Sequence, residues 1–240
     1  MKSVLITGAN KGIGFETARQ LARLNYFVYL GSRNKIQGLE AVKKLNDLGM
    51  NNVETIEIDV ADMKSVQHAR QELEGKIGSL DVLINNAGIT GEQPQNIATC
   101  SLDNLRRIFD TNYFGAIQTT QEFLPLLRKS KQPVIVNVSS EVGSLTLHTA
   151  RERSPNWDNF HAYGSSKTAL NAFTVMLAND LRDTNFSINS VTPGYTARDL
   201  NQFLGAKTVE QGAKPIVELA TQSHPGTTGK FFKEGGEVPW

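Results

Sequence analysis

Residues 3–14 read SVLITGANKGIG. A short apolar run ends at Gly8, and residues 15–24 then carry apolar side chains at helical spacing. The stretch therefore predicts a buried strand, a glycine-rich turn and a helix. Main-chain N–H groups converge in such a turn and the helix dipole adds positive potential, so the turn predicts a phosphate-binding site.

The three glycines of this turn have separate expected roles. We expect Gly8 to permit the tight turn, Gly12 to let a pyrophosphate approach the main chain, and Gly14 to let the helix pack closely on the strand. Their spacing differs from the commoner dinucleotide fingerprint, but their place at the first strand–helix junction predicts nucleotide binding.

The rest of the chain alternates between predicted strands and helices, which indicates right-handed crossovers and a parallel sheet. We predict a Rossmann-type doubly wound parallel sheet of about seven strands, flanked by helices on both faces, in a single domain of residues 1–240. Ligands bind such sheets beyond the carboxyl ends of the strands. The further strands are predicted at 27–31, 53–58, 80–84, 133–138, 187–191 and 229–233, the helices at 36–48, 61–76, 101–129, 161–181 and 208–221, and irregular segments at 141–159 and 195–205.

The end of the second strand predicts the cofactor. No acidic residue stands between Phe27 and Asn34 to bind a free ribose 2′-hydroxyl, whereas Arg33 is placed for a 2′-phosphate. Lys11 in the glycine loop adds a second positive charge. These residues predict NADPH/NADP+, the alternative being that Arg33 is a solvated surface side chain.

Tyr163 and Lys167 are four residues apart and lie on one face of a predicted helix. An ammonium close to a phenol favours the phenolate and lowers the tyrosine pKa toward the range useful for proton transfer. The small residues between the pair are expected to leave room for a ligand. The alternative interpretation is a chance pairing on an exposed helix.

Composition limits the other functions. The chain has 240 residues, a net charge of +1 and 39% hydrophobic residues, so charge indicates neither nucleic acid nor an anionic membrane as partner. A single cysteine excludes an intramolecular disulfide, and no leader or membrane-spanning run is visible, so we expect a cytoplasmic protein. We expect no metal, because His68, His148, His161 and His224 lack the spacing of metal ligands.

Seven segments in order resemble the short-chain dehydrogenase/reductase family over essentially the whole chain. Residues 10–15 and 210–213 and the final Trp240 are similar to its carbonyl reductase branch, which implies reduction of small aldehydes, ketones or quinones with NADPH. The segments are residues 7–14, Asp59-Val60, residues 85–88, Asn112, Ser139-Ser140, Tyr163-x-x-x-Lys167 and Pro193-Gly194.

The resemblance implies a catalytic role for four residues. Tyr163 donates a proton to the carbonyl oxygen, Lys167 lowers the tyrosine pKa and binds the nicotinamide ribose, Ser140 binds the substrate oxygen, and Asn112 binds a water that relays protons to Lys167. Ser140 is preferred to Ser139 because the family's catalytic serine is usually the second of this pair. The implied cofactor-binding residues are Gly8, Asn10, Lys11, Gly12, Ile13, Gly14, Arg33, Asp59, Val60, Asn86, Ala87, Gly88, Tyr163, Lys167, Pro193, Gly194 and Thr196, while Asn85 is expected mainly to tie strands together.

Two features depart from the family pattern. Ser140 and Tyr163 are 23 positions apart, longer than in the family's shortest members and shorter than in its monomeric carbonyl reductases. Arg198 aligns where the family usually has a threonine that contacts the nicotinamide, and Thr196 is the expected substitute.

Two other functions stay open. One is an NAD(P)-dependent alcohol dehydrogenase acting oxidatively, which Arg33 and Lys11 disfavour; the other is a non-catalytic NADPH-sensing regulator, which is expected to lack Tyr163 or Lys167. The long helices at 101–129 and 161–181 carry apolar positions beyond one face. We therefore expect a homodimer or homotetramer.

Overall fold

In the computed structural model, one eight-stranded sheet with the order β3-β2-β1-β4-β5-β6-β7-β8 forms the centre of the chain. The structure describes residues 1–150, 155–196, 205–221 and 226–240. Strands β1 to β7 are parallel, and only β8 runs antiparallel to its neighbour β7. The strands are β1 (Ser3–Ile6), β2 (Phe27–Ser32), β3 (Val53–Glu57), β4 (Val82–Asn85), β5 (Val134–Val138), β6 (Ser187–Val191), β7 (Lys230–Lys233) and β8 (Gly236–Glu237).

Helices cover both faces of the sheet, as the alternating sequence predicts. On one face Leu21, Leu45 and Ile216 pack against the sheet, and on the other Leu73 and Phe123 do so. The α-helices are α1 (Gly12–Arg23), α2 (Lys35–Asp47), α3 (Met63–Glu74), α4 (Leu102–Phe109), α5 (Gly115–Leu127), α6 (Leu145–Thr149), α7 (His161–Asp180) and α8 (Val209–Ala220). Within the described ranges, no helix is long and apolar enough to cross a bilayer.

The strand order reverses between β1 and β4, which are adjacent in the sheet although β2 and β3 lie between them in the chain. In a doubly wound sheet the connections from two such strands leave toward opposite faces, and a crevice opens at their carboxyl ends. The glycine-rich turn after β1 and residues 86–88 after β4 both border this crevice. The fold prediction is therefore confirmed, with β8 as an additional short strand.

Two predicted segments differ in detail from the structure. The predicted helix 101–129 contains a π-helical turn, Asp110–Phe114, between α4 and α5. Pro125 lies inside α5 near its end and does not end the helix. The predicted loop 141–159 contains α6 and two 3₁₀ turns, Glu141–Gly143 and Pro155–Phe160, because short polar runs with few apolar repeats give no helical period to read.

Candidate active site

The glycine-rich turn is held tightly against the end of β4. Gly8 has a φ of +62°, and a Cβ atom there would lie 2.8 Å from Cα of Ala87. Any larger residue would therefore be strained by its conformation and would also collide with main chain. The turn between β1 and α1 has its shape because Gly8 allows both the positive φ and the close approach to Ala87.

Thr7 and Asn86 join the two loops of the crevice. Thr7 Oγ1 accepts from the main-chain N–H groups of Asn86 and Ala87, each at 3.0 Å. In return, Asn86 Nδ2 donates to the carbonyl oxygens of Thr7 at 2.8 Å and Gly8 at 3.0 Å. Both amide hydrogens of Asn86 are thus used inside the protein, so this side chain shapes the crevice wall.

Gly12 and Gly14 differ in what surrounds them. A Cβ on Gly14 would lie 2.4 Å from Asn86 Nδ2 and 2.7 Å from the Gly8 carbonyl oxygen, so α1 packs against its own loop and against Asn86. At Gly12, whose φ is +59°, a Cβ would meet nothing within 4 Å. Gly12 faces open space at the N-terminus of α1, which suits the approach of an anion.

Charged and polar side chains surround the far end of the crevice. Arg33 follows β2 directly and is exposed, as is Lys11 in the turn. Between them, Asn10 Nδ2 donates to Gln37 Oε1 at 3.1 Å, and Asn34 caps α2 by accepting from the Gln37 N–H at 3.0 Å. The arrangement brings two cationic side chains to the loops that follow β1 and β2.

Asp59 and Val60 follow β3 but face different surroundings. Asp59 Oδ1 accepts from the Ala61 N–H at 3.0 Å, which fixes the carboxylate in the loop. Val60 is 6% exposed, and a Cβ on Gly115 of α5 would lie 2.9 Å from its Cγ2. The Val60 side chain therefore packs in the core, and a contact of Asp59 or of the Val60 main chain with adenine stays a prediction.

Tyr163 and Lys167 lie on α7 and are both buried, with 5% and 3% of their surfaces exposed. Lys167 Nζ lies 5.6 Å from the Tyr163 ring centroid and donates to the Val138 carbonyl oxygen at 2.8 Å. Phe160 also contacts the tyrosine ring edge-on, with centroids 6.4 Å apart. A buried ammonium is thus fixed within one helical turn of a buried phenol.

Two of the three small residues between the pair, Gly164 and Ser166, pack against protein, and only Ser165 is exposed. A Cβ on Gly164 would lie 2.7 Å from the Val142 carbonyl oxygen, so α7 approaches the turn after β5 closely. Ser166 is buried and donates to the Tyr163 carbonyl oxygen at 2.7 Å. Sequence alone could not show this, because helical spacing does not tell which neighbour a face meets.

The two serines after β5 are in different environments. Ser139 is 2% exposed, and its hydroxyl donates to the Lys167 carbonyl oxygen at 3.5 Å. Ser140 is half-buried, begins the 3₁₀ turn and makes no capping hydrogen bond with its side chain. The Ser140 hydroxyl is therefore the more accessible of the two, and its role toward a substrate stays a prediction.

Asn112 connects three parts of the site from the π-helical turn. It is 1% exposed, and its side chain exchanges two hydrogen bonds with the Ile89 main chain, at 2.8 and 2.9 Å. Its Nδ2 also donates to Ser166 Oγ at 3.0 Å. A Cβ on Gly88 would lie 3.3 Å from Asn112 Oδ1 and 3.6 Å from Lys167 Nζ. The Asn112 side-chain atoms thus bind protein groups, and a role toward water stays a prediction.

The segment after β6 completes the rim. Gly194 has a φ of +72°, and a Cβ there would lie 3.2 Å from Lys207 Nζ, which also pairs with Glu234 at 3.1 Å. Thr196 is 1% exposed, and its Oγ1 donates to the Pro193 carbonyl oxygen at 3.1 Å. The Thr196 hydroxyl hydrogen is therefore directed to the main chain; Arg198, predicted to stand at the family's usual contact, lies outside the described residues.

The two histidines near the irregular segment are anchored within it. His148 Nε2 bonds to the Val142 carbonyl oxygen at 2.9 Å and its ring contacts Trp157, with centroids 5.1 Å apart. His161 pairs with Asp158 at 3.3 Å. The described ranges contain no group of three or more His, Cys, Asp or Glu side chains that could hold a metal ion. His224 lies outside the described residues.

Reasoning from the sequence missed three polar residues that shape the site. Thr7, Gln37 and Gln95 bond across 79, 27 and 68 positions of chain, to Asn86, Asn10 and Tyr163 respectively. A threonine at the strand end of a glycine-rich turn could have signalled the first. No local pattern marks the two glutamines, because their partners are distant in sequence.

Asn85 also connects distant elements, and here the expectation agrees with the structure. Asn85 Nδ2 donates to Asn137 Oδ1 on β5 at 2.8 Å and to Thr120 Oγ1 on α5 at 2.9 Å. The amide thus ties β4 to its neighbouring strand and to a helix.

The crevice fits a dinucleotide. Gly12 leaves open space at the start of α1, cationic side chains stand at one end, and the buried Tyr163–Lys167 pair stands at the other. A doubly wound sheet with these features defines an α/β oxidoreductase of the dinucleotide-binding class.

The chain belongs to the short-chain dehydrogenase family, whose family model, described as "short chain dehydrogenase", matches residues 2–208. It is 39% identical over 230 residues to the short-chain dehydrogenase anuI of Penicillium roqueforti, covering 92% of this chain and 89% of that one. It is 32% identical over 297 residues to a (+)-neomenthol dehydrogenase of Capsicum annuum, covering 95% and 94%.

Solved structures agree with this membership. Salutaridine reductase from Papaver somniferum superposes with a TM-score of 0.84 and 28% identity, over 97% of this chain and 99% of that one. The NADPH-bound carbonyl reductase from chicken fatty liver gives a TM-score of 0.86 and 25% identity, over 100% and 99%.

Proposed function

We propose that this oxidoreductase reduces the carbonyl group of a small aldehyde, ketone or quinone with NADPH, using Tyr163 as the proton donor. The observation that carries the proposal is the Tyr163–Lys167 pair: a buried ammonium lies 5.6 Å from the centroid of a buried phenol ring, beside Gly88 in the loop after β4. Two ionisable groups buried side by side in a crevice are expected at a catalytic site.

The proposed mechanism assigns one task to each side chain. When bound, NADPH supplies the hydride that adds to the carbonyl carbon. Negative charge develops on the carbonyl oxygen, the Ser140 hydroxyl donates a hydrogen bond to it, and Tyr163 transfers its phenolic proton to it. Lys167, fixed by Val138, favours the tyrosinate that remains because opposite charges attract. Asn112 binds a water molecule that returns a proton to the tyrosinate by way of Lys167.

The proposed cofactor contacts follow the crevice. The N-terminus of α1, with Gly12 and Ile13, holds the pyrophosphate, and Arg33 with Lys11 and Asn10 holds the 2′-phosphate. Support comes from related structures with this cofactor type: the chicken carbonyl reductase is NADPH-bound and another fold relative, ElxO, has NADP bound, at 26% identity. The remaining proposed contacts are Gly8, Gly14, Asp59, Val60, Asn86, Ala87, Gly88, Pro193, Gly194 and Thr196.

Two alternatives predict other results. An oxidative alcohol dehydrogenase would turn over alcohols with NAD(P)+ faster than it reduces carbonyls, and a cofactor-sensing regulator would bind NADPH without turnover. The regulator is disfavoured because Tyr163, Lys167, Ser140 and Asn112 are all present.

We also propose a homodimer or homotetramer in the cytoplasm. Large apolar side chains are exposed on the helices near the site, with Leu102 at 63%, Phe114 at 52% and Met176 at 61%. Such side chains on α4, the π-helical turn and α7 suit an isologous interface.

A substrate panel tests the proposed activity. Loss of NADPH absorbance is followed with aldehydes, ketones, quinones and salutaridine, and the reverse reaction is followed with (+)-neomenthol and NADP+. Salutaridine and (+)-neomenthol are included because relatives are named after them. We expect turnover of at least one carbonyl compound. Tight NADPH binding without turnover of any compound in either direction contradicts the proposal and favours the regulator.

A further inference from the structure

Gln95 is a fully buried glutamine in the loop between β4 and α4, with 0% of its surface exposed. Its Oε1 accepts a hydrogen bond from the Tyr163 main-chain N–H at 2.9 Å, across 68 positions of chain. Its Nε2 donates to the Thr90 carbonyl oxygen. Because an N–H can only donate and a carbonyl can only accept, these two partners together fix the orientation of the amide.

The bond to Tyr163 satisfies a group that its own helix leaves without a partner. The first N–H groups of an α-helix have no carbonyl four residues earlier, and a capping side chain normally accepts from one of them. Helix α7 begins at His161, so the Tyr163 N–H belongs to this set. Phe160 occupies the N-cap position and its side chain forms no capping hydrogen bond. Gln95 therefore acts as the cap of α7 from a distant loop.

The same loop reaches the Tyr163–Lys167 pair, since a Cβ on Gly88 would lie 3.6 Å from Lys167 Nζ. Thr90, which accepts from Gln95, directly follows Ile89, which is held by Asn112 through two hydrogen bonds. Asn112 in turn lies beside Gly88 and bonds to Ser166 on α7. The loop is thus joined to α7 directly, by Gln95 to Tyr163, and indirectly through Asn112, which bonds both to Ile89 of the loop and to Ser166.

We propose that Gln95 is a positioning residue for the proton donor. By capping α7 at Tyr163, it holds the first turn of that helix in the position that keeps the phenol close to Lys167 and at the crevice. The inference rests on the proposed function for its catalytic consequence. Its structural part, that Gln95 restrains the Tyr163 turn, is independent of any activity.

Asn104 on α4 offers a matched control, because its side chain holds the same loop. It is also buried, at 8% exposed, and its side chain exchanges two hydrogen bonds with the Glu92 main chain, each at 3.0 Å. No bond of Asn104 reaches α7 within the described residues. Asn104→Leu therefore loosens the loop as Gln95→Met does, but leaves the cap on Tyr163 in place.

The structural part is tested by amide hydrogen exchange in the full chain, measured by NMR with and without NADPH. In Gln95→Met we expect faster exchange at the Tyr163 amide and its neighbours in the first turn of α7, because the N–H loses its acceptor. In Asn104→Leu we expect wild-type exchange there. Equal protection of the Tyr163 amide in Gln95→Met and wild type overturns the inference.

The catalytic consequence is tested by steady-state kinetics on the best carbonyl substrate of the panel. We expect kcat to fall about 10- to 100-fold in Gln95→Met, the loss expected from a small misplacement of a catalytic group, with little change in KM. The alkaline limb of the kcat profile should move to higher pH, because a displaced phenol gains less from Lys167. Partial unfolding would lower kcat without moving the limb.

Gln95→Glu is the conservative rescue. It keeps an oxygen that can accept from the Tyr163 N–H, and in the protonated form that burial favours, its hydroxyl can donate to the Thr90 carbonyl oxygen as the Gln95 amide does. We expect kcat well above that of Gln95→Met. A glutamate variant no faster than the methionine variant, or an Asn104→Leu enzyme as slow as Gln95→Met, overturns the inference.

Failure of this inference and failure of the proposed function give different results. If no carbonyl compound is reduced, the proposed function fails, and the exchange experiment still decides whether Gln95 restrains α7. If wild type reduces a carbonyl compound and Gln95→Met has wild-type kcat and exchange, the proposed function stands and the positioning role does not.

Discussion

The ammonium nitrogen of Lys167 lies 5.6 Å from the centroid of the Tyr163 ring and is fixed by a 2.8 Å hydrogen bond to the Val138 carbonyl oxygen at the end of β5. The pair therefore depends on two elements, because α7 carries both side chains and the sheet fixes the lysine. This geometry underlies the first prediction, on the identity of the proton donor.

Replacing Tyr163 by Phe removes the proposed proton donor and keeps the ring that packs on Phe160. We expect kcat to fall by about 10²–10⁴-fold, the usual contribution of general acid–base catalysis, with NADPH affinity near wild type. Tyr29→Phe, at a buried tyrosine on β2 that is not among the proposed site residues, is the control. A Tyr163→Phe enzyme that keeps more than about a tenth of wild-type kcat contradicts the assignment.

Arg33 is expected to set the choice of cofactor. Charge-assisted hydrogen bonds contribute about 1.5–3 kcal/mol each, so even one bond to a 2′-phosphate, discounted for solvent, favours NADPH over NADH by about tenfold or more. Arg33→Asp should reverse the preference, because a carboxylate repels phosphate and accepts from a ribose hydroxyl. The measurement is the ratio of kcat/KM for the two cofactors in wild type and variant.

The wild-type preference for NADPH should also shrink as salt is raised, because Arg33 and Lys11 are exposed and salt screens exposed charges. Lys35→Asp, a nearby exposed site on α2, controls for a general change of surface charge. Equal use of NADH and NADPH by wild type, or an unchanged ratio in Arg33→Asp, would refute this assignment.

Gly164→Ala tests the contact between α7 and the turn after β5. Alanine favours a helix by about 1 kcal/mol over glycine, but the added Cβ would lie 2.7 Å from the Val142 carbonyl oxygen. Overpacking costs about 1–3 kcal/mol, so the contact should shift and kcat should fall despite the better helix former. Ser165→Ala, at the exposed neighbouring position, should keep wild-type kcat. Full activity in Gly164→Ala would show that the turn after β5 can move away from α7 without changing kcat, which contradicts the prediction.

Asn137→Leu tests a buried polar network. Asn137 is fully buried on β5, where Oδ1 accepts from Asn85 and Nδ2 donates to Thr174 on α7, both at 2.8 Å. Leaving these partners unpaired should lower the free energy of unfolding by about 2–4 kcal/mol. Urea denaturation measures this, and Asn46→Leu on the exposed face of α2 should change it by less than about 0.5 kcal/mol. Equal stabilities of the two variants would contradict the role of the network.

Light scattering tests the proposed assembly. We expect a mass of two or four times 26.4 kDa at micromolar concentration, and a shift toward the monomer when Phe114 and Met176 are both changed to Lys. Leu48→Lys is the control, because Leu48 is similarly exposed but lies at the end of α2, away from these helices in the chain. A wild-type mass near 26.4 kDa would refute the assembly.

Much of this protein could be predicted from local pattern. Alternating apolar runs and amphipathic helices determined a doubly wound parallel sheet, because strand–helix–strand units close with only one hand and bury both faces of the sheet. The glycine-rich turn after β1 followed from residue type alone, since Gly8 and Gly12 take positive φ values that other residues disfavour. The i, i+4 spacing of Tyr163 and Lys167 likewise placed both on one face of α7.

Other features depend on contacts between residues distant in sequence, and only the tertiary structure decided them. Gly164 packs against Val142 and does not make room for a ligand, and Gln95 caps a helix that begins 66 positions after it. Ser140 and Ser139 are adjacent and chemically alike, yet packing buries only Ser139. The physical reason is common to these cases: propensity and periodicity act over a few residues, whereas hydrogen bonds and steric contacts between loops depend on where the completed sheet places them.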